Sequence, residues 1–417
     1  MDIRKIILII SRILVGGVFT FSGFVKIIDP WGTAYKIQDY LMAMGEPMTI
    51  FMSWAFIASV ILAATELTVG LGLLLGIRLR ENTLVAALMM LFMTPLTLWI
   101  ALRNPVHDCG CFGDALIIDN WTTFWKNVVL CLLILCIWLL RKSHGRLAGT
   151  YAEWLVEGFS FFFAIAIAGY CYRSLPLIDF RPYHVGANIK EGLAVPEGAP
   201  TESTVTTLIY RNLQDSTLGE FTLDNYPKDS LWEFVDQKTI VVREGYVPPV
   251  HDFALEAQDG DITDEVLEDE GYTFLVVSYD LADANLSSRN HERLKRLYEY
   301  ARKNNYRFYV MTASVDQDIA AFLDNAGIDY PIVLTDKITL KTIIRYNPGV
   351  VLIKNATVYD KWSLPDVPDF KQPLEESKDG LMAKQDAWQK VTICSLLWLL
   401  PVLLIIGVNR RLIRARD

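Results

Sequence analysis

His107-Asp-Cys-Gly-Cys-Phe-Gly-Asp114 lies between two strongly apolar runs, at about 84–102 and 124–140. Each run is close to the ~20 residues a helix needs to cross a bilayer, so this thiol pair with one intervening glycine should sit at a membrane surface. Working outward, apolar runs at about 6–25 and 50–76 precede it, one at about 155–172 follows, and a last one covers about 391–408. The reading is a membrane α-helical protein of six transmembrane helices, with one large insert between the fifth and the sixth. Composition agrees: 52% of the 417 residues are hydrophobic and mean hydropathy is +0.27, too apolar for an ordinary soluble enzyme of this length.

Lys and Arg in short loops set the expected orientation. Arg4 and Lys5 precede the first span, Arg78 and Arg80 follow the second, Arg141, Lys142 and Arg146 follow the fourth, and Arg410, Arg411, Arg414 and Arg416 close the chain. With six alternating spans these clusters share one side. Both termini are then cytoplasmic, as in a bacterial inner-membrane protein, and the thiol loop and residues ~174–389 are extracytoplasmic. The formal charge is −9, but residues 175–388 alone hold 21 basic against 36 acidic residues, leaving −15 there and +6 elsewhere. Such an acidic outer domain argues against nucleic acid as a partner and against docking on anionic lipid. The first apolar run lacks an A-x-A-like cleavage site and reads as a retained span.

The chain divides into a four-helix membrane module (1–146), a fifth span (147–173), a small β-rich subdomain (174–250), an α/β domain (251–370), a linker (371–389), and a sixth span with a basic tail (390–417). Pro30 should end the first helix. Thr33–Met44 should lie as a short helix in the interface. Glu66 stands near the middle of span two, where a carboxyl group is costly unless neutral or paired, and Lys26 or a hydroxyl could pair with it. Gly70 and Gly72 would let helices approach closely. Thr94-Pro95 predicts a kink in span three, with the threonine helping to satisfy the freed carbonyl.

From Tyr272 strands and helices alternate: strands at Tyr272–Tyr279, Tyr306–Thr312 and Ile332–Thr335, helices at about Arg289–Asn304, Asp316–Asn325 and Leu340–Tyr346, then a strand pair at Val350–Lys354 and Thr357–Trp362 turning at Asn355-Ala356. This pattern implies a parallel sheet closed by an antiparallel hairpin. With Pro348 just before the strand of that hairpin, it resembles a thioredoxin fold, in which a cis-proline holds this place. Where that family carries Cys-x-x-Cys, the residues here are Tyr279-Asp-Leu-Ala-Asp-Ala-Asn285. The resemblance therefore implies a thioredoxin-like domain without redox cysteines, with a site for an extended peptide beside Pro348.

Of six cysteines, Cys131, Cys136, Cys171 and Cys394 fall in spans and read as small apolar residues, with Cys131 shallow enough for a relay. Cys109 and Cys111 can close a disulfide only in a tight ring, which Gly110 permits and which favours exchange over a static staple. Arg103 or a protonated His107 could stabilise a thiolate there, while Asp108 and Asp114 would oppose it. His107, Cys109 and Cys111 supply three ligands where a closed structural zinc site takes four, so no metal is assigned.

Ser22-Gly23 with Lys26 and Asp29-Pro30, then Glu66 with its following glycines, then Cys109-Gly-Cys-Phe-Gly113, together resemble the DoxX family and its methylamine-utilisation (MauE) relatives over residues 5–140. The resemblance implies a module working on thiols or disulfides of exported proteins, with Cys109 and Cys111 exchanging and a membrane quinone accepting electrons. Glu66 and Lys26 join the pair as candidate catalytic residues, and the thioredoxin-like domain would present the protein partner. A scaffold or accessory subunit of an envelope complex, with Cys109–Cys111 as a static bridge, is the competing expectation.

Overall fold

The computed structural model describes residues 3–106, 109–143, 147–200, 203–215, 217–223, 225–227, 231–243, 245–376 and 384–414. Among them six helices are long and apolar enough to cross a membrane. Helix α1 (Ile3–Ile28) stops before Pro30, which cannot donate the next helical hydrogen bond and instead opens α2 (Pro30–Ala43). Asp29 caps α2, its side chain accepting from the Gly32 N–H at 3.0 Å. Then come α3 (Ala55–Leu75), α4 (Leu79–Arg103), α5 (Asn120–Leu140), capped by Asp119, and α6 (Thr150–Arg173).

Helices α1, α3, α4 and α5 share one apolar core that includes Val15, Phe19, Leu73, Met90, Leu130 and Ile134. The α1–α3 crossing is closest where small residues meet: a Cβ at Gly23 would overlap the backbone of Leu67, and one at Gly70 that of Thr20. Alanines of α6 pack on alanines of α3. Pro95 lies inside α4, but Thr94 does not serve its freed carbonyl. The Thr94 hydroxyl lies 3.4 Å from Cys131 Sγ, and Thr97 donates to the Thr94 carbonyl at 3.0 Å. The sulfur of the neighbouring helix competes for the threonine, which local sequence does not reveal.

After α6 come the short α7 (Ile189–Leu193) and an antiparallel sheet of β1 (Ser203–Asn212), β2 (Leu218–Thr222) and β3 (Trp232–Arg243) in the order β2-β1-β3. The subdomain expected over 174–250 is therefore narrower. Tyr183, Ile189 and Val250 belong to the core of the domain that follows, and the Gly186 and Ile189 N–H groups donate to Val358 and Ala356 carbonyls. Isolated apolar residues among turn formers carry no period, so the sequence did not expose this packing.

That domain comprises β4 (Glu256–Ala257), β5 (Gly260–Asp261), α8 (Thr263–Leu267), β6 (Tyr272–Ser278), α9 (Ser288–Lys303), β7 (Arg307–Thr312), α10 (Asp316–Ala326), β8 (Ile332–Leu334), α11 (Lys337–Ile343), β9 (Gly349–Lys354) and β10 (Thr357–Ser363). Its sheet order is β10-β9-β6-β7-β8-β4-β5, with β6, β7 and β8 parallel, β9 antiparallel to β6, and β10 antiparallel to β9. The Asn347–Pro348 bond before β9 is cis, and both turn residues, Asn355 and Ala356, have positive φ. This is a thioredoxin-like α/β domain. Every residue of β6 is buried because both faces are covered, Leu275 and Val277 in one core and Phe274 and Val276 in the other. Helix α11 starts at Lys337, three residues before the expected position, since the Asp336 side chain accepts from the Ile338 and Thr339 N–H groups. It ends at Ile343, where Ile344 turns extended, instead of reaching Tyr346.

Lys361 of β10 is buried and donates to Asp179 at 2.7 Å and to the Tyr183 carbonyl at 3.1 Å. The chain leaving α6 is thereby tied to this sheet. Last, α12 (Lys384–Arg414) leans on α6, with Trp398 Nε1 donating to Ser160 at 2.9 Å.

The α1–α3 crossing yields a prediction. Gly70→Leu should force the helices apart and lower the apparent stability of the detergent-solubilised protein by about 1–3 kcal/mol or more, as overpacking does. An unchanged unfolding midpoint would contradict this packing.

Candidate functional site

Ser22 and Lys26 lie one turn apart on α1, on the face that meets α3. There Lys26 Nζ lies 2.8 and 2.7 Å from the two carboxylate oxygens of Glu66, and all three residues are buried. Neutralisation within the pair is what makes a carboxylate and an ammonium tolerable at this depth. Lys26 also donates to Ser22 Oγ at 2.9 Å. The same hydroxyl is 2.8 Å from Glu66 Oε2 and 2.8 Å from the Cys111 carbonyl. It has one proton for two acceptors, so it couples the ion pair to the thiol loop.

Cys109 and Cys111 are disulfide-bonded, with Cα atoms 5.5 Å apart. Gly110 between them has φ +62°, and a Cβ there would lie 2.9 Å from Lys36 Cγ. Both conformation and space therefore require glycine. Tyr40 of α2 donates to the Cys109 carbonyl, and Phe112 packs on Phe21 with ring centroids 5.4 Å apart. Backbone acceptors on both sides of the disulfide are thus held, one by α1 and one by α2.

Two spaces flank this loop. The first is an apolar cavity of about 560 Å³ among α1–α4, walled by Leu62, Met89, Phe92, Met93 and Leu96, with Lys26, Tyr40, Cys109 and Cys111 also lining it. The second is a cleft of about 430 Å³ between α2, the thiol loop and the thioredoxin-like domain, lined by Asp29, Asp114, Arg181, Lys341 and Arg345 among others. Gly110, Thr33 and Lys36 line both; of these two spaces the cysteines line the apolar cavity and not the cleft.

The thioredoxin-like domain is clasped to the membrane module at this cleft. Arg345 Nη2 is 2.9 Å from Asp29 Oδ2 and 3.2 Å from Asp114 Oδ2, and its Nε is 3.0 Å from Asp29 Oδ2. Lys341 Nζ stands 4.4 Å from the centre of the Tyr35 ring and 5.6 Å from that of Tyr279. Burial pushes the Asp29 carboxyl up, but the charges of Arg345 and Arg181 and hydrogen bonds from Arg345 and Gly32 outweigh it and hold Asp29 below its ordinary value. Burial raises Asp114 more than Arg345 lowers it, leaving that carboxyl above its ordinary value.

The structure thus brings Lys26, Glu66, Cys109 and Cys111 together. Pro348 lies three residues beyond Arg345, at the docked end of the domain. Its neighbourhood is bonded within the chain: the Asn347 carbonyl accepts from the Asn285 N–H at 3.0 Å, and Asn347 Nδ2 donates to the Asp280 carbonyl at 2.7 Å. Arg103 is not at the disulfide; it is exposed and lines a separate groove with Met44 and Trp99. Leu102 and Arg103 at the end of α4 face outward, so nearness in sequence misleads. His107 and Asp108 lie outside the described residues. Cys131 lines neither space, and Cys171 and Cys394 sit in one small apolar cluster. No group of three or more metal-ligating side chains occurs among the described residues. Tyr40, Lys36 and Arg345 were not singled out by sequence; their spacing on amphipathic segments is ordinary.

Comparison with known proteins finds a match for the membrane part. Residues 4–140 match the family model of methylamine utilisation protein MauE. The MauE-matching segment ends with α5, so α6, α12 and the soluble domains lie beyond it. Residues 204–244 match a domain of unknown function (DUF8463). No curated protein matches the chain. Among solved structures, the chain is similar to a candidate protein disulfide isomerase from Bacteroides thetaiotaomicron, at 16% identity over 29% of this chain and 80% of that one, TM-score 0.24. It is also similar to a thiol-disulfide oxidoreductase from Bacteroides fragilis, at 14% identity over 33% of this chain and 96% of that one, TM-score 0.22.

Two predictions follow from the charges. Removing one partner of the buried pair, as in Lys26→Met, leaves Glu66 uncompensated and should cost about 3–5 kcal/mol, whereas Lys26→Met with Glu66→Gln should cost clearly less. Equal losses in thermal unfolding would mean the two are not coupled. Because Asp29 is depressed in the folded state, its contribution to docking is full above its ordinary value of 3.8 and lost as pH falls through the depressed value. Hydrogen exchange in 30–43 and 337–346 should therefore rise only in strong acid for the native chain, but already at neutral pH for Arg345→Met.

Proposed function

We propose that the chain is a membrane thiol–disulfide oxidoreductase acting on exported proteins and passing electrons to a membrane quinone. The observation that carries this reading is the Cys109–Cys111 bond facing an apolar cavity between membrane helices, with a buried Lys26–Glu66 pair alongside. In this reading a substrate thiolate attacks one sulfur, the Cys109–Cys111 bond breaks, and the electron pair moves to the other cysteine. The substrate's second thiol then attacks the mixed disulfide and leaves as a substrate disulfide. Two electrons remain on the chain as a Cys109/Cys111 dithiol.

The cavity walls suit a flat apolar ring, and Tyr40, Lys26 and Thr97 supply polar atoms for its oxygens. A quinone bound there would take up the two electrons and two protons that restore the disulfide. In this reading Glu66, joined through Ser22 to the Cys111 backbone carbonyl, would carry a proton in that return step. Protein thiols would approach through the cleft above Gly110, where Lys36 lines both cleft and cavity. Arg345 and Lys341 would hold the thioredoxin-like domain beside that approach, and the Pro348 end would bind the partner's extended segment. The basic clusters at the opposite end of the bundle support cytoplasmic termini and an extracytoplasmic insert, in a bacterial inner membrane.

A specific observation favours a second reading, that of a scaffold in an envelope complex. The insert contains no cysteine, and its Pro348 end is turned to the membrane module instead of outward. Trapping separates the two. Cys109→Ser and Cys111→Ser, made singly, should yield mixed disulfides between the full chain and exported proteins. Absence of adducts, with full cellular function in the double variant, would leave the scaffold. If the quinone route holds, anaerobic reoxidation of the dithiol by a soluble quinone should slow at least a hundredfold in Glu66→Gln, the low end of acid–base effects of about 10²–10⁴; unchanged rates would refute that role.

A further inference from the structure

One charged group at the site takes no part in the interactions described so far. Lys126 is the seventh residue of α5 and half-buried. Its ammonium lies 4.3 Å from the centre of the Phe112 ring, next in sequence to Cys111. Among the described residues it has no hydrogen bond and no ion pair. It lines a space of about 40 Å³ together with Ser22, Lys26, Glu66 and Cys111. That volume can hold a water molecule bridging such groups. A lysine this near a helix start would ordinarily extend its ammonium outward to the interface. Here it is turned over the ring and toward the pair.

The charges around the disulfide can be set out helix by helix. Helix α1 brings Lys26, α3 brings Glu66, α2 brings Lys36 and the Tyr40 hydroxyl, and α4 brings no charge, facing the small space with Met89, Met90 and Met93. Lys26 and Glu66 cancel each other at 2.7–2.8 Å. Lys36 lines the cleft and the apolar cavity, within the field of Asp114, and does not line the small space beside Cys111. Lys126 is therefore the positive charge left over on the side of Cys111.

We propose that Lys126 stabilises the thiolate that forms on Cys111 when the disulfide opens. The inference rests on the reading of Cys109–Cys111 as an exchanging bond. When a substrate thiolate attacks Cys109 Sγ, the S–S bond breaks and its electron pair passes to Cys111 Sγ. One negative charge is thereby moved into a poorly solvated site whose neutral ion pair cannot compensate it. An uncompensated ammonium facing the same small space does so, and makes Cys111 the better leaving group. The proton later needed to convert this thiolate to a thiol can arrive from Lys126 through the bridging water. The two cysteines are then unequal: Cys109 is the sulfur attacked and Cys111 the sulfur released.

The test uses the full chain in detergent with Cys109→Ser, so that Cys111 is a free thiol whatever its partner in cells. Alkylation of Cys111 by iodoacetamide is followed against pH by mass spectrometry of its peptide. Lys126→Met and Lys126→Gln should each slow alkylation at neutral pH about tenfold and move the profile upward by about one pH unit, with Lys126→Arg close to the parent. Identical profiles in the Met and Gln variants would overturn the proposal, as would an equal loss in the Arg variant, which would mark Lys126 as packing only. Trapped adducts with exported proteins judge the oxidoreductase reading separately, since this titration needs neither substrate nor quinone.

Discussion

The ion pair between Lys26 and Glu66 is the constraint on which the membrane module depends. Two opposite charges removed from water are tolerable only in contact, and contact across two helices demands that their backbones come close. Gly23 and Gly70 provide that approach, because any side chain there would collide with the facing backbone. The pair in turn orients Ser22, and Ser22 bonds the Cys111 carbonyl. Helix packing, charge neutralisation and the seat of the disulfide are thus one connected arrangement.

A second ionic contact decides how the soluble part is used. Asp29 ends α1, caps α2 and receives Arg345, so one carboxylate joins helix termination to domain docking. Because Arg345 also reaches Asp114, the domain touches the thiol loop directly, three residues beyond Cys111. The end of the thioredoxin-like fold that would carry cysteines in redox-active members meets the membrane module instead. Its Lys341 lies over both its own Tyr279 ring and the Tyr35 ring of α2.

Much of the architecture was legible because its signals are local. Twenty-residue apolar runs, basic residues at alternate ends and strand–helix alternation from Tyr272 can each be read without knowing any partner. The Asn355-Ala356 turn followed from the strand pattern, and the cis bond at Pro348 from the resemblance to a thioredoxin fold. The region before it was harder. Tyr183, Ile189 and Val250 join the core of a sheet that begins many residues later, and no periodicity announces that. Arg103 illustrates the opposite error, since closeness in sequence to Cys109 was taken for closeness in space.

By itself the sequence determined six spans, the Cys-Gly-Cys loop at one surface, and a thioredoxin-like pattern lacking its cysteines. It also offered Lys26 as one possible partner for Glu66. Only the tertiary structure decided that this pair forms, that Tyr40, Lys36 and Lys126 surround the disulfide, and that Arg345 reaches Asp29 across 316 residues. The physical reason is the range of the forces involved. Propensity and hydrophobic period act over a few residues and leave a trace in composition, whereas the choice of a charge's partner is settled by which helices pack and at what angle.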